Sequence, residues 1–345
     1  MQRIFITGIC GFVGSNLALY FQSIGNKVYG IDNFSRKGSK KNLNLLKKKG
    51  IKVFKGDLIN FKKNKIFKKY INFDALVHCA ALTSVLDGVN NNSSEFLYKN
   101  NILSTLESLK LCHFLKSKFI YISSSRVYSI SEINKLKLQI RDNSFKLTQN
   151  STIGISLKGI SEEFSTKPPL SMYGSSKLVC ENIIQEYCLF YRIPFVINRC
   201  GLLSGSGQLY KNDQGIISYW INSWKKEKKL SYIGFNGKGM QVRDCLHPLD
   251  LSKLIKKQIN FLEKKKLKSF IFNVSGGISS SFSLKELSIW CEKKIFSKKI
   301  GHNKKNRPFD LKWIVLDNTK TKKIFKWKPE FLKYDIFQDI NSNDY

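Results

Sequence analysis

Apolar positions along the chain fall into two alternating textures. Short runs rich in β-branched and aromatic residues, at 3–8, 27–32, 52–58, 75–81, 118–124, 195–200 and 270–275, read as strands. Between them lie longer stretches with apolar residues at helical spacing, among them Phe12 to Ser23, Glu95 to Leu115 and Ser175 to Phe190. Apolar strands alternating with helices are the rhythm of βαβ units, and they predict an α/β fold built on a doubly wound parallel sheet. Beyond residue 200 the pattern loosens into Gly- and Trp-bearing stretches in which 250–262 and 284–295 read as helices. The segment 129–170, holding Pro168-Pro169 and several Ser and Thr, shows no clear period, and a connection of that length predicts a functional or mobile loop.

Composition bounds the reading without redirecting it. A chain of 345 residues with 42% hydrophobic residues and 25 Phe can bury a sizeable core, and its length predicts one large domain with a smaller one attached. No run approaches the roughly 18 apolar residues of a membrane helix. The first strand begins at residue 3, which leaves no room for a signal peptide and predicts the cytoplasm. Eight cysteines sit singly in apolar segments without a CxxC pair, so reduced, buried thiols are expected, with no metal site. The formal net charge of +34 raises the alternative of a nucleic-acid partner, but lysine outnumbers arginine 51 to 8 and is scattered. A focused patch of arginine interleaved with aromatics is what such a partner calls for, so nucleic acid is not expected.

Chemistry concentrates at the strand ends. Thr7-Gly8-Ile9-Cys10-Gly11-Phe12-Val13-Gly14 follows the first strand and opens the first helix, where Gly8, Gly11 and Gly14 allow a tight turn and the approach of a pyrophosphate to helical N–H groups. Asp32 ends the second strand 18 residues after Gly14, placed to accept hydrogen bonds from an adenosine ribose. Its charge repels a 2′-phosphate and favours NAD, while Arg36 beside it keeps NADP as an alternative. Asp57 and Leu58 end the third strand, with an N-cap as the competing role for Asp57. Ala80 and Ala81 close the fourth strand with side chains small enough for a cofactor to pass. His78 reads as a packed residue rather than a catalyst. Phe12, Val13, Asn33 and Asn101 complete the expected cofactor shell. These features predict an NAD-binding Rossmann domain over 1–198, with 240–255 and 270–276 returning to it, and a smaller C-terminal substrate-binding lobe in most of 199–345.

Tyr173-Gly174-Ser175-Ser176-Lys177 is the only YxxxK in the chain, a pattern that chance supplies in a sequence this rich in lysine. Its position gives it weight, because it opens a helix after Ser123-Ser124-Ser125, the end of the fifth strand. A tyrosine of ordinary pKa about 10 is a poor base at neutral pH, and a lysine ammonium one turn away together with an oxidised nicotinamide favours its anion. Tyr173 then accepts a hydroxyl proton, Ser124 hydrogen-bonds the same oxygen, and Lys177 also holds the nicotinamide ribose.

Together these residues resemble an extended short-chain dehydrogenase of the nucleotide-sugar epimerase/dehydratase family over nearly the whole chain. Asp32-Asn33-Phe34-Ser35-Arg36-Lys37-Gly38, Asp213-Gln214-Gly215 and Gln241-Val242-Arg243-Asp244-Cys245-Leu246-His247 are most similar to its CDP-paratose (CDP-tyvelose) 2-epimerase branch. The resemblance implies adenosine contacts at Asp32 and Asp57 and catalysis by Ser124, Tyr173 and Lys177. It also implies diphosphate contacts at Arg243 and at Arg307, which opens Arg307-Pro308-Phe309-Asp310. Thr83, Arg199 and Gln214 are further substrate-side candidates, and a homodimer seamed by helices 95–115 and 175–190 is implied. Family 4,6-dehydratases carry Thr-Asp-Glu before the Val-Tyr pair and UDP-xylose-forming decarboxylases a glutamate at the position of Arg126. Ser124-Ser125-Arg126-Val127-Tyr128 lacks both, which leaves redox-neutral epimerisation of a nucleotide sugar. Leu202 replaces a family asparagine that touches substrate and Ser129 a usual glycine, so the sugar contacts are expected to differ. A nucleotide-sugar or small-carbonyl reductase, and an inactive family member binding RNA or a partner, are the alternatives.

Overall fold

In the computed structural model, residues 1–36, 38–59, 72–85, 93–148, 151–210, 214–264, 270–305 and 307–343 are described. Seven parallel strands form the central sheet: β1 (Arg3–Thr7), β2 (Lys27–Asp32), β3 (Lys52–Lys55), β4 (Ala75–His78), β5 (Lys118–Ser124), β6 (Phe195–Cys200) and β7 (Ile271–Val274). Their order is β7-β6-β5-β4-β1-β2-β3, so the chain winds outward one way from β1, then crosses back and winds the other way from β4. All seven correspond to expected strands. Parallel strands covered by helices on both faces must be apolar throughout, and β6 is buried at every position. One face packs Ile4, Ile6, Leu17, Phe21 and Val196 with Leu254 and Ile255 of helix Pro248–Lys264. The other packs Phe5, Leu76, Phe119 and Ile197 against helices Ser104–Phe114 and Met172–Phe190.

Two sequence expectations change in detail. The helix read over 95–115 runs from Ser93 to Phe114 and contains a π-helical turn, Lys99–Leu103, at which Asn101 is buried. The unperiodic segment 129–170 is not a plain loop. It contains helix Ile130–Asn134, a hairpin of Leu138–Arg141 with Ser144–Leu147, and a smaller pair of strands, Ile155–Ser156 and Gly159–Ile160. Ile133, Leu136, Ile160 and Phe164 from this segment pack with Val127, Tyr128, Val242 and residues 313–316, which ties the sheet to the C-terminal part.

Strand Val242–Leu246 pairs with Leu202–Leu203, Ser281–Ser283 and Trp313–Ile314 in a second, four-stranded sheet. A separate core of Trp220, Trp224, Tyr232, Phe282, Trp290 and Phe337 lies beneath it. Helix Pro248–Lys264 follows at once and returns to the central sheet, so the chain changes layer at His247. Among the described residues, no helix is long and apolar enough to cross a membrane. All eight cysteines are free; seven are buried and Cys79 is half-buried.

Candidate active site

The carboxyl ends of β1 and β4, where the winding reverses, open into a cavity of about 720 Å³ between the two layers. Gly8, Gly11, Phe12, Val13 and Gly14 form one wall. The glycines are required sterically: a Cβ on Gly14 would lie 2.2 Å from the Gly8 carbonyl oxygen, and Gly8 has φ +65° with a would-be Cβ 2.8 Å from Ala80 Cα. Gly11 is the N-cap of helix Phe12–Ser23 and offers no side-chain cap, so the first-turn N–H groups face the cavity free to bind an anion.

Asp32 accepts hydrogen bonds from the amides of Cys10 (2.9 Å) and Phe34 (2.8 Å), which fix its carboxylate at the cavity edge. Burial raises its pKa, and these two donors oppose the rise. Asp57 accepts from the Ile59 amide at 3.0 Å and from Asn33 Nδ2 at 3.2 Å, so it both turns its own loop and couples it to the loop after β2. Leu58, Ala80 and Ala81 line the wall beside them. Asn101 does not line it: its amide brackets the Leu82 backbone (2.8 and 3.2 Å) and donates to Ser176 Oγ (2.9 Å), clamping the segment after β4 to the helix that carries Tyr173.

Across the cavity mouth, Arg36 donates to Thr83 Oγ1 at 3.3 Å and to Gln214 Oε1, and Gln214 donates to Thr83 Oγ1. Three expected ligand contacts are thus engaged with one another in a bridge from the loop after β2 to the lobe. Lys37 and Asp213 of the flanking motifs lie outside the described residues.

Ser124, Tyr173 and Lys177 meet at the cavity floor. Ser171 caps helix Met172–Phe190 by accepting from the Gly174 amide at 3.0 Å, which sets the helix start where Tyr173 faces Ser124. Burial pushes the Tyr173 phenol up to about 12, against the hydrogen bond from Ser124 and the charge of Arg126. Lys177 donates to the Ile122 carbonyl at 2.9 Å, and burial lowers its pKa. His78 is packed as expected. Its ring nitrogens are held by Thr7 (2.7 Å), Ser108 (3.0 Å) and Thr105 (3.1 Å), and burial with the nearby Lys177 charge pushes its pKa down to about 3.

The arginines divide. Arg243 and Arg307 line the cavity. Arg243 is anchored by the Val242 and Leu311 carbonyls and pairs with Asp310 at 3.0 Å. Arg199, expected on the substrate side, is withdrawn beneath the floor. Its Nη2 lies 2.7 Å from Glu181 in an ion pair whose side chains are 6% and 1% exposed, and its guanidinium lies 5.1 Å over Tyr128. Burial disfavours its charge, and Glu181 outweighs this and raises its pKa. Its guanidinium is engaged inside the protein, and Arg199 does not line the cavity.

Residues that the sequence did not single out also line the cavity: Asn42, Cys79, Cys200 and Asp244. Asp244 is buried, and burial pushes its carboxyl up to about 6 despite donors that include the Leu316 amide at 3.0 Å. Its place in Arg243-Asp244 was the available signal.

Residues 4–275 match the NAD dependent epimerase/dehydratase family. The chain belongs to this family. Over 347 residues it is 28% identical to the CDP-paratose 2-epimerase of Salmonella typhi, covering 98% of each chain. It is 30% identical to the dTDP-D-glucose 4,6-dehydratase of Dictyostelium discoideum over 73% of this chain and 54% of the relative. Among solved structures, UDP-glucuronic acid 4-epimerase from Bacillus cereus, in complex with UDP-glucuronic acid and NAD, is similar with a TM-score of 0.78 at 22% identity, over 99% of this chain and 98% of that one. UDP-glucose 4-epimerase from Thermotoga maritima, with UDP-glucose, gives 0.78 at 19% identity over the same shares. The chain is an NAD-dependent enzyme of this family, and the glycine cradle that a single Cβ would fill fits the cofactor's diphosphate.

Proposed function

We propose that this protein epimerises a nucleotide sugar by oxidising one ring carbinol to a ketone and reducing it again from the other face. The observation that carries this reading is the meeting of Ser124, Tyr173 and Lys177 in the same cavity as the Gly8–Gly14 cradle and Arg243. NAD, when bound, supplies a hydride acceptor that returns what it takes. Tyr173 accepts the hydroxyl proton at Oη and later gives it back, and Ser124 fixes the oxygen that loses it. Lys177 keeps a cation near the phenol and a donor for the cofactor ribose. Asp32 and Asp57 take the adenosine hydroxyls, and Arg243 with Arg307 binds the substrate diphosphate bidentately. Ser125 and Arg126 stand where the family's dehydratases carry their aspartate and glutamate, and Arg126 where its decarboxylases carry a glutamate, so neither reaction has its carboxylates here.

The substrate class rests on the family and on these two arginines; a CDP-linked sugar is the first to try. Arg36 is held by Thr83 and Gln214, which supports NAD over its 2′-phosphate form. We also propose that the protein works in the cytoplasm as a homodimer, with Phe96, Val179 and Phe190 exposed on the two helices that would form the seam. In the test, protein that retains NAD through gel filtration is given CDP-, UDP-, GDP- and dTDP-sugars. Inversion without net NADH change supports epimerisation. Stoichiometric NADH consumption replaces it with a reductase.

A further inference from the structure

The segment that carries Arg307 runs between strand Gly301–Asn303, which pairs with residues 231–233, and strand Trp313–Ile314, which pairs with Val242 and Arg243. Pairing fixes both of its ends. Leu311, near the second end, is 1% exposed and packs in the same core as Trp313, whereas Arg307, Pro308 and Phe309 are half-buried or exposed. Phe309 sits at φ +57°, a left-handed conformation that a bulky side chain disfavours and that its surroundings must hold. Two guanidiniums on the cavity wall reach across to this segment. Arg243 donates to the Leu311 carbonyl at 2.9 Å and pairs with Asp310 at 3.0 Å. Arg126 Nη1 donates to the Phe309 carbonyl at 3.2 Å. Among the described residues, no other hydrogen bond joins Arg307, Pro308 or Phe309 to a residue outside the segment. The backbone of Arg126 is itself pinned in the turn Ser125–Val127. Its amide donates to Ser124 Oγ at 3.2 Å, and its carbonyl lies so close to Gly174 that a Cβ there would be 2.1 Å away.

We propose that Arg126 is a positioning residue that fastens the Arg307 segment to the turn between Ser124 and Tyr173, and so holds the diphosphate contact in register with the reacting centre. The inference rests on Arg307 being a diphosphate contact, as proposed above. A bond to a main-chain carbonyl fixes backbone rather than one rotamer, so it sets where the Arg307 side chain starts from. Without it, the half of the segment nearest Arg307 has to be ordered when the ligand arrives, and that ordering is subtracted from affinity. Arg243 does not substitute, because both of its Nη atoms are engaged with Val242, Asp310 and Leu311. An ionised carboxylate has no donor and could not hold the Phe309 carbonyl. The arginine that stands in place of the dehydratase glutamate thereby supplies a tie that the glutamate could not make.

The test uses NAD-loaded wild type, Arg126→Met, Arg126→Lys, Arg307→Ala and the double variant Arg126→Met/Arg307→Ala. CDP and UDP binding is measured by calorimetry, and hydrogen exchange over 307–311 is measured without nucleotide. Arg126→Met should weaken nucleotide binding about tenfold, as expected if the ordered segment falls to roughly a tenth of the population. Exchange over 307–311 should speed by a similar factor, and Arg126→Lys, which keeps a donor, should recover most of both. Because Arg126 acts through Arg307, the double variant should bind no worse than the weaker single one. Losses that add would make Arg126 a ligand contact in its own right and overturn the proposal, as would unchanged exchange over 307–311. Arg126→Gln, two bonds shorter, serves in its place if Arg126→Met does not fold. Wild type that binds neither nucleotide would sink the diphosphate reading, while the exchange measurement still decides whether Arg126 holds the segment.

Discussion

Replacing Arg199 with alanine separates a structural from a substrate role for the residue. In the wild type, Glu181 accepts from Nε at 3.1 Å to each carboxylate oxygen and from Nη2 at 2.7 Å, and Ser123 adds a donor at 2.5 Å. Arg199→Ala leaves Glu181, 1% exposed, with Ser123 and without its ion-pair partner. Stranding one member of a buried pair costs about 3–5 kcal/mol. At on the order of 2 °C per kcal/mol for a chain of this size, the melting temperature should fall by roughly 6–10 °C. Differential scanning calorimetry of the NAD-loaded protein reads the fall, and kcat and KM measured well below the transition should stay within about twofold. Removing both charges with Arg199→Met and Glu181→Leu should restore most of the stability, because two apolar side chains of similar volume carry no stranded charge. Unchanged melting together with a KM raised tenfold or more would refute the placement of Arg199 and return it to the substrate.

Three other expectations follow from the same geometry. Gly14→Ala forces a Cβ toward backbone atoms 2.2–2.9 Å away, and should cost about 1–3 kcal/mol and yield protein purified without NAD, read from its absorbance. Gln214→Ala opens the bridge to Arg36 and Thr83 and should raise the NAD dissociation rate about tenfold, measured by exchange into a labelled pool. Asp244 has a folded pKa raised by burial to about 6 from 3.8, so the folded state holds its proton more tightly than the unfolded one. Its favourable contribution is therefore present below pH about 4 and is lost as pH rises through about 6. Asp244→Asn should flatten that part of the curve of stability against pH in urea titrations; an unchanged slope would argue against the buried charge.

Much of the architecture is legible because both faces of a parallel sheet must be apolar, and seven apolar runs separated by helical periods leave little choice. The strand ends were less legible. The runs through Leu58 and Ala81 continue past the last paired residues, Lys55 and His78, because these segments turn toward the cavity and not into the ladder. The π turn at Lys99–Leu103 leaves no mark in a helical pattern. The hairpin inside 129–170 did carry a signal: Asp142 and Asn143, at φ +50° and +61°, are the residue types that tolerate the left-handed turn joining two strands.

In the site, glycines, strand-end carboxylates and the Tyr173 helix were readable because backbone geometry fixes what they can reach. Arg199 was not, since an arginine on a buried strand is either paired or facing a ligand, and residue type cannot say which. Its partner was foreshadowed, because Glu181 follows Tyr173 and Lys177 at helical spacing on the same buried face. The bridge of Arg36, Thr83 and Gln214 joins residues far apart in the chain, which no local pattern reports.

The most direct test of the account follows the hydrogen on the inverted carbon. A nucleotide sugar carrying deuterium at that carbon is incubated in ordinary water with the NAD-loaded enzyme, and the product is read by mass and proton NMR. Transient oxidation with return of the same hydride predicts an inverted centre that keeps its deuterium, and no inversion in Tyr173→Phe. Deuterium lost to water would mean proton abstraction at carbon, and deuterium accumulating in released NADH would mean net oxidation; either contradicts the reading of this chain as an epimerase.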